Sequence, residues 1–587
     1  MLGIETRGTC QESGRDGAEA GDAMRTGDGT GEGSDINSGA GQRPTPKTMQ
    51  EWLSLVAMIW LQSVAGTNTN FPAYSSQLKQ ILSISQVQLN NLAFASDAGK
   101  LLGWLSGLAA VHLPLWLVLL IGASLGLVGY GVQYLFLAGK VASLSYPAMF
   151  LLTALAGNSI CWINTVCYVV AIRDFPLHHQ VVVGLTTSYQ GLSTSVYTDI
   201  VDAAFNQGGG VARARAYLLL SSVLPMGTSL VTAPFVRDVN AGSLGAGRNA
   251  HGGFLILFVI TIATGLYAVV SSMGSVSGWL PALNNAMGMG IFLAVPAVVP
   301  LAKGLKHFVA LTQKREHDVA SVEENGEHGR DKSGLKPEAH RQVGDQEEED
   351  IVIAPCEEMA TDIGAREELG ARDMVRRVEF WLYFFVYLLG ATLGLVFLNN
   401  LGQIAESRGC SKTSSLVTLS SSFGFFGRLI PSLFDCLLAR SKYMVARPAS
   451  IAGLMAPMVG AYFLLLSPAM VALYVSTAVI GVCTGAIASI AVATTTELFG
   501  TKNFSVNHNI VVANIPIGSF VFGYAAALLY RRRTAGSGGE KCMGMECYNT
   551  TFVIWGCLCF LGTILALVLY ARTRRFYSKS IERVIAN

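Results

Sequence analysis

Long apolar segments separated by short polar loops run along most of the chain from Trp52 onward. Each segment is long enough to cross a bilayer as a helix, because the hydrocarbon core needs roughly 20 apolar residues. The pattern therefore predicts an all-α polytopic membrane protein, with two sets of six helices, numbered one to twelve below, and about two extra helices between them. The predicted helices lie at 52–72, 88–110, 114–137, 147–171, 180–205 and 214–236, then at 253–273 and 287–305, then at 379–399, 414–438, 447–467, 470–496, 508–530 and 551–572.

Two long polar stretches interrupt this pattern. Residues 1–50 are Gly-rich and mixed in charge, and residues 311–378, here called the hinge, carry closely spaced charges and no aromatic residue. We expect both to be disordered, because such a composition buries too little apolar surface to offset the entropy of ordering; a docked regulatory element is the alternative for the hinge. The predicted organisation is a disordered tail (1–50), a six-helix bundle (51–240), two additional membrane helices (241–310), the hinge (311–378), a second six-helix bundle (379–573) and a C-terminal tail (574–587).

Composition agrees with a membrane protein and narrows its function. Hydrophobic residues make up 51% of the chain and charged residues 14%, whereas soluble proteins contain about 25% charged residues. The net charge of +2 gives no reason to expect a nucleic-acid partner. The 11 cysteines are scattered without ligand spacing, so we expect no metal or other cofactor. The chain has no GxxxxGK[ST] or HExxH motif, which argues against ATP-driven pumping and against an enzyme.

Basic residues on short loops predict the orientation, since Lys and Arg collect on the cytosolic side of membrane proteins. The tail, the hinge and the C-terminus share one side with most of the basic loops, so we predict that all three are cytosolic. Two clusters, at 213–215 and 531–533, fall on the opposite side. The agreeing clusters lie at 173–179, 237–248, 303–306, 376–377, 440–447 and 572–579.

A polar stripe follows helix five. Its six members recur at i, i+3, i+4, i+7, i+8 and i+11, a spacing that places them on one helix face. We expect this face to line water or solute; the alternative is that its hydroxyls bond to their own backbone and to neighbouring helices. The stripe consists of Thr186, Tyr189, Gln190, Ser193, Thr194 and Tyr197.

Polar side chains also occur at membrane depth in other helices of both sets. Buried amides need partners, because an unpaired amide in hydrocarbon costs several kcal/mol. Their presence in both halves indicates a polar cavity between the halves, and Gly66 with Pro72 indicates a broken outer end of helix one. The candidates for the solute path are Gln62, Thr69 and Asn70 in helix one, Asn399, Asn400 and Gln403 at the end of helix seven, and Asn514 in helix eleven.

Ionisable residues at membrane depth are few, and four are candidates for coupling or gating. Asp97 and Lys100 lie three apart in helix two, Arg428 lies within helix eight, and Asp435 lies near the end of helix eight. The i, i+3 spacing lets the carboxylate and ammonium meet. Pairing then favours the ionised carboxylate whereas burial disfavours it. Two interpretations stay open: Asp97 carries a proton during transport, or the pair is a static ion pair that fixes helix two.

Cys542 and Cys547 lie close together on the loop before the last helix, on the predicted non-cytosolic side. Oxidising conditions there permit a short disulfide between them. Two free thiols are the alternative.

Short blocks in a shared order resemble the plant nodulin-like transporters, the group that includes proteins of the nuclear fusion defective type, within the major facilitator superfamily. The resemblance implies a major-facilitator-like fold of two six-helix bundles joined by a cytosolic hinge. The charged facilitator loop signature is legible only in the second half, at Asp435 and Arg440. The blocks are FPAYSSQLK at 71–79, DAG at 97–99, GYG at 129–131, RDFP at 173–176, YQGLS at 189–193, NNLGQI at 399–404, GR at 427–428 and ELFGTK at 497–502.

These features together predict a secondary carrier or facilitator. It would move a small polar solute, a small molecule or an ion, by alternating access through a cavity between the halves. The alternative is a non-transporting receptor or scaffold that docks cytosolic partners through its tail and hinge. We expect a monomer in the lipid bilayer, either of the plasma membrane or of an endomembrane such as that of the vacuole.

Overall fold

The computed structural model describes residues 47–176, 178–205, 210–236, 248–272, 281–302, 368–410, 413–438, 446–537 and 542–586, together with residue 305. These residues belong to one unit, Thr45–Asn587. Regular structure in the described ranges is helical throughout, which confirms the predicted all-α fold class. The disorder predicted for residues 1–46 and 311–367 lies outside the described residues.

Helices one to six form the first half. Helix one is broken: α1 ends at Ala65, a 3₁₀ turn covers Thr67–Asn70, and α2 begins with a proline in its first turn. A Cβ on Gly66 would lie 2.7 Å from the Cβ of Ser193, so glycine is needed where helix one approaches helix five. Helix two is also broken, by a 3₁₀ turn at Gly99–Leu102. The elements are α1 (Lys47–Ala65), α2 (Phe71–Leu82), α3 (Gln86–Ala98), α4 (Gly103–His112), α5 (Leu115–Leu137), α6 (Tyr146–Asp174), α7 (His179–Phe205) and α8 (Gly210–Thr232).

The two extra helices and helices seven to twelve follow in the predicted order. Helix seven contains a π-helical turn at Leu388–Thr392 between two α-helices, and helix eleven is interrupted at Ala513. The extra helices are α9 (Arg248–Ser272) and α10 (Ala282–Ala294), and the second half contains α11 (Ala371–Arg376), α12 (Val378–Tyr387), α13 (Leu393–Ser407), α14 (Thr413–Leu438), α15 (Arg447–Leu464), α16 (Met470–Phe499), α17 (Phe504–Val512), α18 (Asn514–Ser537) and α19 (Asn549–Ala586).

Nine segments in the described ranges are long and apolar enough to cross a membrane on their own. Helices one, two, five, eight and nine are not among them. Helices one and two are broken, and helices five (α7) and eight (α14) pack against each other between the halves. A helix that is covered by protein can carry polar residues, so helices five and eight look less apolar in sequence than a lipid-facing helix.

Three predicted boundaries are corrected by the structure. Residues 47–50 begin α1 rather than end the tail, and 371–376 form a short helix within the predicted hinge. The last helix continues to Ala586, although 574–587 was predicted to be a tail. The extension is anchored by Tyr577, whose hydroxyl donates to Glu497 Oε2 at 2.8 Å, and α11 is anchored by its fully buried Met374.

The halves meet through helices five and eight and through helices two and eleven. A Cβ on Gly184 of α7 would lie 1.5 Å from Ser432 Oγ of α14, so the two helices are in close contact. Phe425 of α14 is fully buried in the apolar core of the first half. The extra helices cover the outside of this junction, because α9 and α10 both pack on α7 and α9 also packs on α14.

Candidate functional site

A cavity of about 240 Å³ lies between the halves. It is lined by helices one, two, four and five of the first half and by helices seven, eight, ten and eleven of the second. One part of its wall is polar, with amides and hydroxyls from Asn68, Thr69, Asn164, Gln190 and Asn509. The cavity therefore has the polar lining and the position between halves that the sequence predicts.

The lining also contains apolar side chains. Among them are Leu395 and Leu398 of helix seven and Val512 and Ile515 of helix eleven. A ligand that fits this cavity therefore meets both polar groups and hydrocarbon.

Of the helix five stripe, only Gln190 lines this cavity. The Tyr189 hydroxyl pairs with Thr261 Oγ1 of α9 at 3.1 Å, and the Tyr197 hydroxyl donates to Val64 O at 3.0 Å. Thr186 donates to Val182 O at 2.8 Å in its own helix, as the alternative interpretation predicted.

Two further members of the stripe face helix one. Thr194 donates to Thr69 Oγ1 at 2.7 Å, and Ser193 is fully buried next to Gly66. The expectation that the stripe as a whole lines the cavity is wrong for a geometric reason. Helix five is surrounded by α1, α8, α9, α10 and α14, so most of its polar face meets other helices rather than open space.

Helix one also contributes fewer cavity residues than expected. Thr69 lines the cavity, whereas Gln62 and Asn70 are fully buried elsewhere in the bundle. The Asn70 amide has no hydrogen-bond partner among the described residues. Asn70 ends the 3₁₀ turn that joins α1 to α2.

In the second half, Asn399 lines the central cavity and also a smaller cleft of about 80 Å³. Asn400 borders only the cleft and donates to Val396 O at 2.8 Å. Gln403 lies at neither site: its Nε2 donates to Asn90 Oδ1 at 3.2 Å, and its Oε1 accepts from the Tyr548 hydroxyl at 3.0 Å.

Asn514 is likewise away from both spaces. Its Oδ1 accepts a hydrogen bond from Thr392 Oγ1 at 2.6 Å. This side-chain bond joins the π-helical turn of helix seven to helix eleven just after its interruption, whereas Asn514 Nδ2 has no hydrogen-bond partner among the described residues.

Asp97 and Lys100 form the predicted ion pair, with Nζ 2.6 Å from Oδ1. The pair lies between the two spaces, because Asp97 borders the smaller cleft and Lys100 the central cavity. Asp97 Oδ2 also accepts from Ser519 Oγ at 2.7 Å and from Asn399 Nδ2 at 3.5 Å. Asp97 of the first half is therefore bonded to two helices of the second half.

Arg428 lines the central cavity near Tyr168 of helix four and Tyr387 of helix seven. All three side chains lie at the surface of the same cavity. Arg428 makes no ion pair within the described part of the chain.

Asp435 lies in a charged network at the end of the bundle that leads to the hinge, here called the hinge end. Arg447 Nη1 donates to both carboxylate oxygens of Asp435, at 2.9 and 3.0 Å, and Arg447 Nε donates to Glu497 Oε1 at 3.0 Å. Arg440, the other residue of the facilitator loop signature, lies outside the described residues. All members of this network belong to the second half, so it ties that half together rather than joining it to the first.

The halves are nevertheless bridged at the hinge end. Ser432 Oγ donates to Gln180 O at 3.0 Å, and Ser505 Oγ donates to Gly107 O at 3.0 Å. At the opposite end, here called the far end, one bridge is the hydrogen bond from Gln403 to Asn90.

Cys542 and Cys547 are joined by a disulfide in the loop at the far end. Within this loop, Gly544 N donates to Ser407 O at 2.7 Å. The next residue after the bridge, Tyr548, is buried, and this burial is the largest cause of its raised phenol pKa. The phenol therefore stays protonated and can donate to Gln403.

Several cavity residues were not predicted from the sequence. Asn164 was detectable as an amide within a long apolar segment, and its Oδ1 has no hydrogen-bond partner among the described residues. Tyr168, Tyr387 and His508 carried no such signal, because an aromatic residue in an apolar helix is more often part of the packed core.

Two helical halves around a polar cavity define the class of protein. The solved structure of the proton:xylose symporter XylE, a major facilitator superfamily protein, matches with a TM-score of 0.53 over 88% of this chain and 95% of that chain, at 10% identity. The chain therefore has the major facilitator fold, and it is an integral membrane protein.

Sequence comparison identifies the family. A nodulin-like family model matches residues 51–301, which include the two extra helices, and a model named NFD4, C-terminal domain matches residues 362–579. Protein NUCLEAR FUSION DEFECTIVE 4 of Arabidopsis thaliana is 37% identical over 549 residues, which cover 90% of each chain. The chain belongs to the nodulin-like family that includes this protein, and fold and family together indicate a transporter rather than an enzyme.

Proposed function

We propose that this protein is a secondary transporter that moves a small polar solute by alternating access through the central cavity. The observation that carries the proposal is the composition of the cavity wall, which takes residues from both halves and presents polar groups such as Gln190, Asn164 and Asn509. A solute bound there contacts both halves at once, so its binding can be linked to their relative movement.

The contacts between the halves support this mechanism. Ser432–Gln180 and Ser505–Gly107 bridge the hinge end, and Gln403–Asn90 bridges the far end. Rocking of the halves would break one set while keeping the other. The bridges are individual hydrogen bonds, each worth about 1 kcal/mol net, so a bound solute can shift the balance between the two open states.

The test is transport by the purified protein in proteoliposomes, measured with a panel of labelled polar metabolites and ions. Cysteines introduced at Asn90 and Gln403 would then be joined by a cleavable thiol-reactive linker. We expect the linker to abolish uptake of whichever solute is transported and a reductant to restore it, because the far end can no longer open.

The matched control places the linker within one half. Asp202 and Arg213 lie on neighbouring helices of the first half, with Nη1 and Oδ1 2.7 Å apart and about a third of each side chain exposed. Cysteines at these positions should accept the linker without loss of uptake. Full uptake by the Asn90–Gln403 cross-linked protein would rule out alternating access, and specific ligand binding without any flux would favour a receptor.

A further inference from the structure

The central cavity carries an uncompensated positive charge. Two long basic side chains line it, Lys100 and Arg428, and no Asp or Glu does so among the described residues. Lys100 is neutralised by Asp97 at 2.6 Å. Arg428 has no carboxylate partner within the described ranges.

An isolated guanidinium at this depth is costly, because removing a charge from water is repaid only by a partner of opposite charge. Two phenols that can donate hydrogen bonds line the same cavity. No hydrogen bond to another described residue engages the hydroxyl of Tyr168 or that of Tyr387, and both side chains line the cavity beside Arg428. Three donor groups thus line the same cavity, and an anionic acceptor is the ligand group that would satisfy them.

We propose that the transported solute is a small organic carboxylate whose anionic head binds Arg428, with Tyr168 and Tyr387 as additional donors. A guanidinium presents two parallel N–H groups that match the two oxygens of a carboxylate. The donors come from both halves, Tyr168 from helix four and Arg428 and Tyr387 from helices eight and seven. The inference rests on the proposed transport function and names the class of solute.

The apolar side chains of the lining favour an organic solute over a bare inorganic anion. Leu395, Leu398, Val512 and Ile515 line the same cavity as Arg428. A short hydrocarbon body can cover them, whereas inorganic phosphate leaves them against water. The volume of about 240 Å³ limits this body to a small metabolite.

The test measures ligand-dependent thermal stabilisation and uptake with acetate, lactate, succinate and glutarate, each against its neutral amide, and with inorganic phosphate. We expect at least one carboxylate to bind and its amide to fail. Arg428→Gln should weaken that binding on the order of 10- to 100-fold, the loss expected for a charge-assisted bidentate contact. Arg428→Lys keeps the charge but loses the two parallel N–H groups, so the carboxylate affinity of this variant should be intermediate.

The unfolding temperature of each ligand-free variant shows whether that variant is folded. Arg428→Gln removes a charge that has no ion-pair partner, so the ligand-free variant should unfold at the wild-type temperature or above it. Arg408→Gln is the matched control, because Arg408 also carries a charge but donates to the carbonyls of Leu465 and Ser467 outside the cavity. This control should keep the wild-type carboxylate affinity.

The outcomes separate this inference from the transport proposal. Undiminished carboxylate affinity in Arg428→Gln, or in a folded Arg428→Lys if the Gln variant unfolds, would overturn it. Equal binding of the amides, or binding of phosphate alone, would also overturn it. Uptake of a neutral solute, without binding of any carboxylate, would contradict the proposed carboxylate site and leave the transport proposal intact. If the linker between positions 90 and 403 does not reduce uptake, that result contradicts alternating access and does not bear on the carboxylate site.

Discussion

Gln190 and Tyr189 are adjacent on helix five but have different surroundings. Gln190 lines the central cavity, whereas the Tyr189 hydroxyl is paired with Thr261 at 3.1 Å and its ring packs edge-on against Phe425. A polar residue at a cavity contributes to solute binding, whereas one that is paired between helices contributes to folding.

We therefore predict that Gln190→Leu lowers uptake per protein molecule several-fold while the unfolding temperature stays near the wild-type value. Tyr189→Phe should do the reverse, because it removes one buried hydrogen bond worth about 1 kcal/mol and leaves the cavity unchanged. Uptake in proteoliposomes and thermal unfolding of the same preparations measure both effects.

Each variant is the control for the other, since the two changes are one residue apart in the same helix. Normal uptake by Gln190→Leu would show that Gln190 is not in contact with the solute. Reduced uptake by a stable Tyr189→Phe would instead place the whole stripe in the solute path.

These residues show how much of the candidate site the sequence predicts. Helical periodicity identified a polar face on helix five, but it gives no information on what covers that face. Gln190, Thr69, Asn399, Lys100 and Arg428 reach the cavity. The other polar candidates meet neighbouring helices, the smaller cleft or their own backbone, and this depends on tertiary packing.

At the scale of elements, the break in helix one was predictable because Gly66 and Pro72 act locally. The structure confirms it with a 3₁₀ turn at Thr67–Asn70. The continuation of the last helix to Ala586 was not predictable. Its basic residues look like a tail in sequence, whereas it is held by a distant contact between Tyr577 and Glu497.

The loop between helices eleven and twelve gives a prediction at this scale. The disulfide Cys542–Cys547 precedes Tyr548, which donates to Gln403 at 3.0 Å. We expect both cysteines to resist alkylation in the non-reduced protein, as measured by intact mass. Replacing both by Ser should lower the free energy of unfolding by roughly 2 kcal/mol, because the short loop becomes freer in the unfolded chain.

The free and exposed Cys557 provides the control in the following helix. Cys557→Ser should leave the unfolding temperature unchanged, and Cys557 itself should be alkylated without reductant once the protein is denatured, because it lies within a membrane-spanning helix of the folded protein. Alkylation of both Cys542 and Cys547 under the same conditions would exclude the bridge in the purified protein.

At the scale of the whole molecule, the ion pair of helix two lies where the halves meet. Asp97 accepts hydrogen bonds from Lys100 in its own helix, and from Ser519 and Asn399 across the interface. The sequence predicted the pair from its i, i+3 spacing, but the partners in the second half are more than 300 residues away in the chain. Movement of the halves would separate Asp97 from Ser519 and Asn399, so the hydrogen bonds to its carboxylate would differ between the two open states.

We therefore propose Asp97 as the proton-coupling group of the transporter. Asp97→Asn should abolish accumulation driven by a pH gradient, because an amide cannot take up and release the proton. Solute exchange at equal concentrations should persist, because it requires movement of the halves but no net proton transfer. Both are measured in the same proteoliposomes, with the solute identified in the uptake panel.

Ser519→Ala is the matched control, since it removes a hydrogen bond to Asp97 but keeps the carboxylate. This variant should retain accumulation. If Asp97→Asn still accumulates solute with the wild-type dependence on the pH gradient, Asp97 is not the coupling group.

A static ion pair predicts a third pattern. Lys100 would lose its ionised partner, at a cost of about 3–5 kcal/mol for a broken buried pair. Exchange, accumulation and thermal stability would then fall together. Persistence of exchange in a stable Asp97→Asn protein thus distinguishes a carboxylate that carries protons from one that only holds helix two in place.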